Sequence, residues 1–133
     1  MAGLSRIHFD SEKRDFVING VALLHHLAKH EGVDPSMYQV SLGAQPNTPK
    51  RLLGVGDPDL VDGHVALYVC GLCGDYDGSP IGARVTLGDS QVAVWSEMGW
   101  EDVIRGWRLF NKVRGYRFDR SEYLASIGAA NVG

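Results

Sequence analysis

His64-Val-Ala-Leu-Tyr-Val-Cys70 is apolar at odd and even positions alike, between Gly63 and Gly71. A strand with one solvated face alternates. One that is apolar on both parities is covered on both faces, so residues 64 to 70 predict the central strand of a sheet. Downstream, Ile81-Gly-Ala-Arg-Val-Thr-Leu87 and Gln91-Val-Ala-Val-Trp95 flank Gly88-Asp-Ser90, the pattern of a β-hairpin. Upstream, Tyr38-Gln-Val-Ser-Leu42 alternates weakly and is a further strand candidate, while Pro, Gly and Asp recur from 43 to 63 and predict mostly loop.

Towards the N-terminus, Ile7 and Phe9 alternate with polar neighbours, as do Phe16 and Ile18, and Ser11-Glu-Lys-Arg-Asp15 between them is turn-like. That predicts a second hairpin. After Asn19-Gly20 the period changes: Leu23, Leu24, Leu27 and Ala28 share one arc, giving a helix over 21 to 31 that stops at Gly32. Trp100, Val103, Ile104 and Trp107 have helical spacing and predict a helix from Trp100 to Phe110, although Gly106 costs about 1 kcal/mol relative to alanine in a helix interior. Tyr116-Arg-Phe118 reads as a short strand. Asp119 and Glu122 have the form of a capping box ahead of Tyr123, Leu124 and Ile127, so a last helix is expected over 120 to 127. The fold class that follows is α+β: a mainly antiparallel sheet of about five to six strands, with a helix from the N-terminal half and a C-terminal helix packed on it.

At 133 residues the chain has the length of one domain, expected over 1–133, and its 44% hydrophobic and 22% charged residues suit an ordinary packed core. A net charge of -3 exerts no global pull on nucleic acid or an anionic membrane. No apolar run approaches the roughly 20 residues of a membrane span, and the N-terminus lacks a signal-peptide pattern. A cytoplasmic location with no membrane partner is the expectation. The two cysteines, Cys70 and Cys73, are spaced as a metal knuckle or redox pair rather than as a disulfide framework.

A Cys-x-x-Cys-Gly loop leaving a strand is how a zinc knuckle is built, because the glycine turn aims two thiolates at one metal about 2.3 Å away. Structural zinc takes four ligands, and the chain has no second cysteine pair. Completing a site on Cys70 and Cys73 falls to His64, Asp75, Asp77 or the histidines of the first helix. A thioredoxin-like reading is opposed by Gly74-Asp-Tyr-Asp-Gly-Ser-Pro80, a poor helix start for activating a thiol. The favoured reading is plainer: Cys70 ends a strand as a small hydrophobe, and Cys73 lies reduced in a glycine turn. His26 and His30 share a helical flank beside His25 and read as solvated imidazoles. Asp57, Asp59, Asp62, Asp75 and Asp77 crowd the loops around the central strand, and turn chemistry accounts for them better than calcium does.

Between 105 and 120 stand Arg105, Arg108, Lys112, Arg114, Arg117 and Arg120, interleaved with Trp107, Phe110, Tyr116 and Phe118 and opposed by Asp119 alone. Arg105, Trp107, Arg108, Lys112, Arg114 and Arg117 are the candidate binding residues, for an anionic protein or for nucleic acid engaged by charge and stacking. No nucleophile elbow, phosphate loop or dinucleotide fingerprint occurs. The sequence therefore reads as a non-catalytic binding or interaction domain. A small metalloprotein or metal-dependent enzyme using Cys70 and Cys73, and a nucleic-acid binder using 105 to 120, stay open beside it.

Tyr68-Val-Cys-Gly-Leu-Cys-Gly-Asp75, Val92-Ala-Val-Trp95, Gly99-Trp-Glu101 and Phe118-Asp119 before Tyr123 together resemble a family of small uncharacterised bacterial proteins, over residues 64 to 127. In that family a third cysteine follows the Cys-Gly-Asp within a few residues, where this chain has Tyr76-Asp-Gly-Ser79. The resemblance implies no activity, substrate or cofactor.

Overall fold

Alternating apolar runs become strands and the leucine arc becomes a helix. The computed structural model describes residues 3 to 88 and 91 to 132, with side chains to residue 128. In chain order it has β1 (Ile7–Asp10), β2 (Asp15–Ile18), β3 (Val21–Ala22), α1 (Leu23–Glu31), β4 (Tyr38–Val40) and the short α2 (Thr48–Leu52). There follow β5 (Val65–Cys70), β6 (Ile81–Leu87), β7 (Val92–Asp102), β8 (Gly106–Leu109), β9 (Tyr116–Asp119) and α3 (Arg120–Val132). The fold class is α+β. A six-stranded antiparallel sheet runs β4-β5-β6-β7-β8, and β9 pairs the first half of β7 on the side where β8 pairs the second half. The N-terminal hairpin and β3 form a separate three-stranded sheet, joined to β9 by a parallel bridge between Ser5 and Phe118.

The central-strand expectation holds, and the structure shows why both parities are apolar. The register of β5 against β6 shifts between Ala66 and Tyr68. This bulge places Val65, Leu67 and Tyr68 in the main core, and Ala66 and Val69 with Leu60 in a smaller cluster on the opposite face. The hairpin of β6 and β7 also forms, though its turn residues Asp89 and Ser90 lie outside the described residues.

The helix expected from Trp100 to Phe110 does not form; the segment is the end of β7, a turn and β8. Asp102 Oδ1 accepts hydrogen bonds from the N–H groups of Ile104 (2.9 Å) and Arg105 (3.0 Å), closing the turn. Gly106 takes φ 82, a left-handed value that a helix interior does not use. The helical spacing was coincidental. Trp100 packs on the core, Trp107 lies on the other face, and Val103 and Ile104 project from the tip.

Trp95 centres the core. Fully buried, it meets Phe16, Phe118 and Tyr123 edge-to-face with ring centroids 5.2, 5.2 and 6.0 Å away, so β2, β7, β9 and α3 converge on one indole. Its Nε1–H donates to Tyr123 Oη (3.1 Å), whose hydroxyl donates to the Leu52 carbonyl (2.6 Å) and ties α2 to α3. Asp119 caps α3 as expected, accepting from Glu122 N at 3.0 Å. Glu122 does not complete a capping box; its carboxylate takes Ile7 N (2.8 Å) and Arg6 Nε (2.8 Å), so it docks β1 on the helix. Among the described residues, no helix is long and apolar enough to cross a membrane.

Candidate functional site

Three clusters carry polar chemistry, and the central strand separates two of them. At the C-terminal end of β5 the cysteine loop is a tight turn: Gly74 N–H donates to the Cys70 carbonyl (3.0 Å), and Cys70 N–H donates to the Asp75 carbonyl (3.0 Å). Both cysteines are free, Cys70 half-buried and Cys73 exposed. Cys73 Sγ donates to Asp77 Oδ2 at 3.5 Å, while Asp75 turns its carboxylate back to Tyr76 N (2.8 Å). His64 stands at the opposite end of the strand, a separation of about 20 Å over six residues at strand rise. Of the proposed zinc ligands, the fold pairs Cys73 with Asp77, turns Asp75 back on its own loop and keeps His64 apart. Among the described residues, no three His, Cys, Asp or Glu side chains are grouped to hold a metal.

His64 belongs to a second cluster, which the sequence did not reveal. Its ring is buried and stacks on Trp107 with centroids 3.8 Å apart and planes 7° from parallel. Nδ1 lies 2.6 Å from the Val61 carbonyl and Nε2 lies 3.0 Å from Glu97 Oε1. Both partners are acceptors; the neutral imidazole has one N–H to give and the imidazolium two. Glu97 also accepts from Arg84 Nε (3.1 Å), and its backbone carbonyl accepts from Trp107 Nε1 (2.8 Å). The hydrogen bond from Arg84, and then that from His64, hold the Glu97 carboxyl below its ordinary range. Glu97 sits where the β6–β7 register shifts and has φ 52, left-handed backbone that aims its side chain back over the sheet. With His64 shut beneath Trp107, no reactant reaches the ring, and the cluster clamps β5, β7 and β8 together.

The third cluster is the basic segment. Arg105, Arg108, Lys112, Arg114, Arg117 and Arg120 are all exposed, and among the described residues none of their side chains joins an ion pair. Trp107 packs on His64, Phe110 on Trp100, and Phe118 on Trp95 and Tyr123; Tyr116 stacks on Phe118 at 5.9 Å and stays half-buried. No family, curated protein or solved structure matches this chain. Its function is therefore read from geometry alone.

Acids near the basic segment face the protein's own backbone. Glu101 Oε1 takes Val61 N (2.7 Å), Asp102 takes the turn N–H groups, and Glu31 takes three N–H groups from Asn111 to Val113. Arg114 and Arg117 line, with Ser5, Val94 and Ser96, a shallow depression of about 450 Å³. At the hairpin tip Val103 and Ile104 are 88% and 89% exposed, held there by the Asp102 turn.

The remaining sequence candidates are explained locally. His26 and His30 do lie side by side on α1, with centroids 4.4 Å apart and planes tilted by 56°; burial first, then the neighbouring His30 charge, lowers the pKa of His26. Asp59 is consumed by Ala66 N (2.9 Å), Tyr76 Oη (2.7 Å) and Arg51 (3.5 Å). Burial, with Asp59 beside it, pushes the Tyr76 hydroxyl up to about 12. Sequence spacing gave no hint of the His64–Glu97–Arg84 set, because its members come from the start of β5, from β6 and from β7, and Glu97 reaches the other two where the β6–β7 register shifts.

Proposed function

We propose that this protein is a non-catalytic interaction domain that docks an acidic protein surface against the β7–β8 hairpin tip and the basic stretch that follows it. One observation carries the reading: all six basic side chains of the segment are exposed and, among the described residues, in no ion pair, while Trp107 packs on His64 and Phe110 on Trp100. Exposed cations supply complementarity and steering toward an acidic surface. Val103 and Ile104 supply the apolar centre that a specific interface surrounds with a polar rim. Binding of single-stranded nucleic acid relies on rings free to stack with bases, and here Trp107, Phe110 and Phe118 are already occupied.

The test uses two probes matched in charge: a synthetic peptide of alternating glutamate and leucine, and an oligothymidylate. The peptide is expected to bind more tightly, with affinity falling about tenfold in Arg105→Glu/Arg108→Glu and again in Val103→Ser/Ile104→Ser. An oligonucleotide preferred over the peptide, or peptide binding indifferent to both double variants, overturns the proposal.

A further inference from the structure

The cysteine loop is unused by that docking surface, and its geometry is more specific than a turn requires. Gly74 N–H bonded to the Cys70 carbonyl at 3.0 Å makes residues 70 to 74 a single closed turn. In a turn the Cα atoms of residues three apart lie within about 7 Å, and a disulfide spans Cα separations of about 4.4–6.8 Å. Both thiols belong to this one turn, and Cys73 Sγ donates to Asp77 Oδ2 at 3.5 Å. The turn is also held from outside. Gly71 N–H donates to the Met37 carbonyl (2.9 Å), Gln39 Nε2 to the Cys70 carbonyl (2.9 Å) and Gln45 Nε2 to the Gly74 carbonyl (2.6 Å). Neither sulfur is needed to keep this shape, and both are reachable. Leu72 between them is fully exposed, and Met37 beside the turn is 64% exposed.

We propose that Cys70 and Cys73 form a dithiol–disulfide exchange site whose oxidant is a disulfide of the RS–SR class, small or protein-borne. Cys70, as thiolate, attacks one sulfur of RS–SR, forming a Cys70–S–SR bond and expelling RS⁻. Cys73 then gives up its S–H proton to Asp77 Oδ2, which accepts from it at 3.5 Å, and attacks the Cys70 sulfur. The second RS⁻ leaves, the Cys70–Cys73 bond closes, and two RSH result after protonation. The substrate disulfide is reduced and the dithiol oxidised, so electrons and atoms balance.

The two cysteines differ in the way the roles demand. The Cys73 N–H, then the Cys73 thiol and the Leu72 N–H, lower the Cys70 thiol below its ordinary range. Asp75 N–H acts in the same sense on Cys73, but the Cys70 sulfur, burial and the Asp77 carboxylate outweigh it and raise that thiol. These directions favour Cys70 as the attacking sulfur and Cys73 as the resolving one.

Oxidised glutathione is the small probe and insulin the protein one, with products read by mass spectrometry and insulin reduction by turbidity. The intact protein is expected to lose two hydrogens and retain no glutathione. Cys73→Ser should trap one glutathione on Cys70, and Cys70→Ser should react about tenfold more slowly. Insulin reduced faster than by free dithiothreitol marks a protein disulfide as substrate; turnover of glutathione alone marks a small one. Adducts that accumulate on the intact protein without an internal disulfide, equal rates for the two serine variants, or no reaction with either probe overturn the proposal. Circular dichroism of both variants checks that the fold is retained.

Discussion

Replacing Glu31 by alanine removes one carboxylate that holds three consecutive backbone N–H groups: Asn111 at 3.0 Å, Lys112 at 2.7 Å and Val113 at 2.7 Å. Glu31 is the last residue of α1, so this contact fastens the helix to the chain between β8 and β9. A hydrogen bond contributes about 0.5–1.5 kcal/mol net, so three give about 1.5–4.5 kcal/mol at most. Asn111 and Lys112 are exposed, and water takes over their N–H groups in the variant. The expected loss therefore lies near the lower end, about 2 kcal/mol for Glu31→Ala and roughly half that for Glu31→Gln, which keeps one acceptor oxygen. Urea unfolding at neutral pH measures it, and amide exchange at Lys112 and Val113 should speed up.

The pH dependence has a definite sign. Burial raises the Glu31 carboxyl, but the N–H groups of Val113, Lys112 and Asn111 outweigh it and leave the folded value below the ordinary 4.5. A depressed carboxyl contributes stability that is full above its unfolded value and is lost as pH falls through the folded one. The gap between wild type and Glu31→Ala should thus be constant near neutrality and shrink on acidification below about pH 4.5. A loss under about 0.5 kcal/mol, or a gap unchanged down to pH 3, would refute this account.

Two other substitutions test the sheet. A Cβ on Gly99 would lie 1.9 Å from the Arg108 carbonyl oxygen, a backbone atom that cannot yield, so Gly99→Ala should unpair β8 or lose about 3 kcal/mol in thermal unfolding; a loss under about 1 kcal/mol rejects that close approach. Glu97 at φ 52 predicts that Glu97→Gly stays within about 1 kcal/mol of wild type, while Glu97→Val falls at least about 2 kcal/mol below the glycine variant. Both variants lack the carboxylate, so equal stabilities in denaturant would show that the backbone there is not left-handed.

Much of the fold was legible because its signals are local. The first hairpin, α1, the doubly apolar β5, the β6–β7 pair and the Asp119 cap each announce themselves within a dozen residues. Trp100 to Leu109 misled because Trp100, Val103, Ile104 and Trp107 satisfy a helical period, while the Asp102 turn and Gly106 decide the outcome through backbone chemistry. The candidate site divides the same way. Sequence alone put Cys70 beside Cys73 and gathered six basic residues into one stretch, since chain neighbours stay neighbours in any fold. Only the tertiary structure could place His64 at the far end of β5 from the cysteines. It alone joined His64 to Glu97 and Arg84, and it turned Trp107, Phe110 and Phe118 inward while leaving the arginines in solvent. Those outcomes rest on strand register and on which face a side chain meets. Register is set by bulges and long-range pairing that no local pattern records.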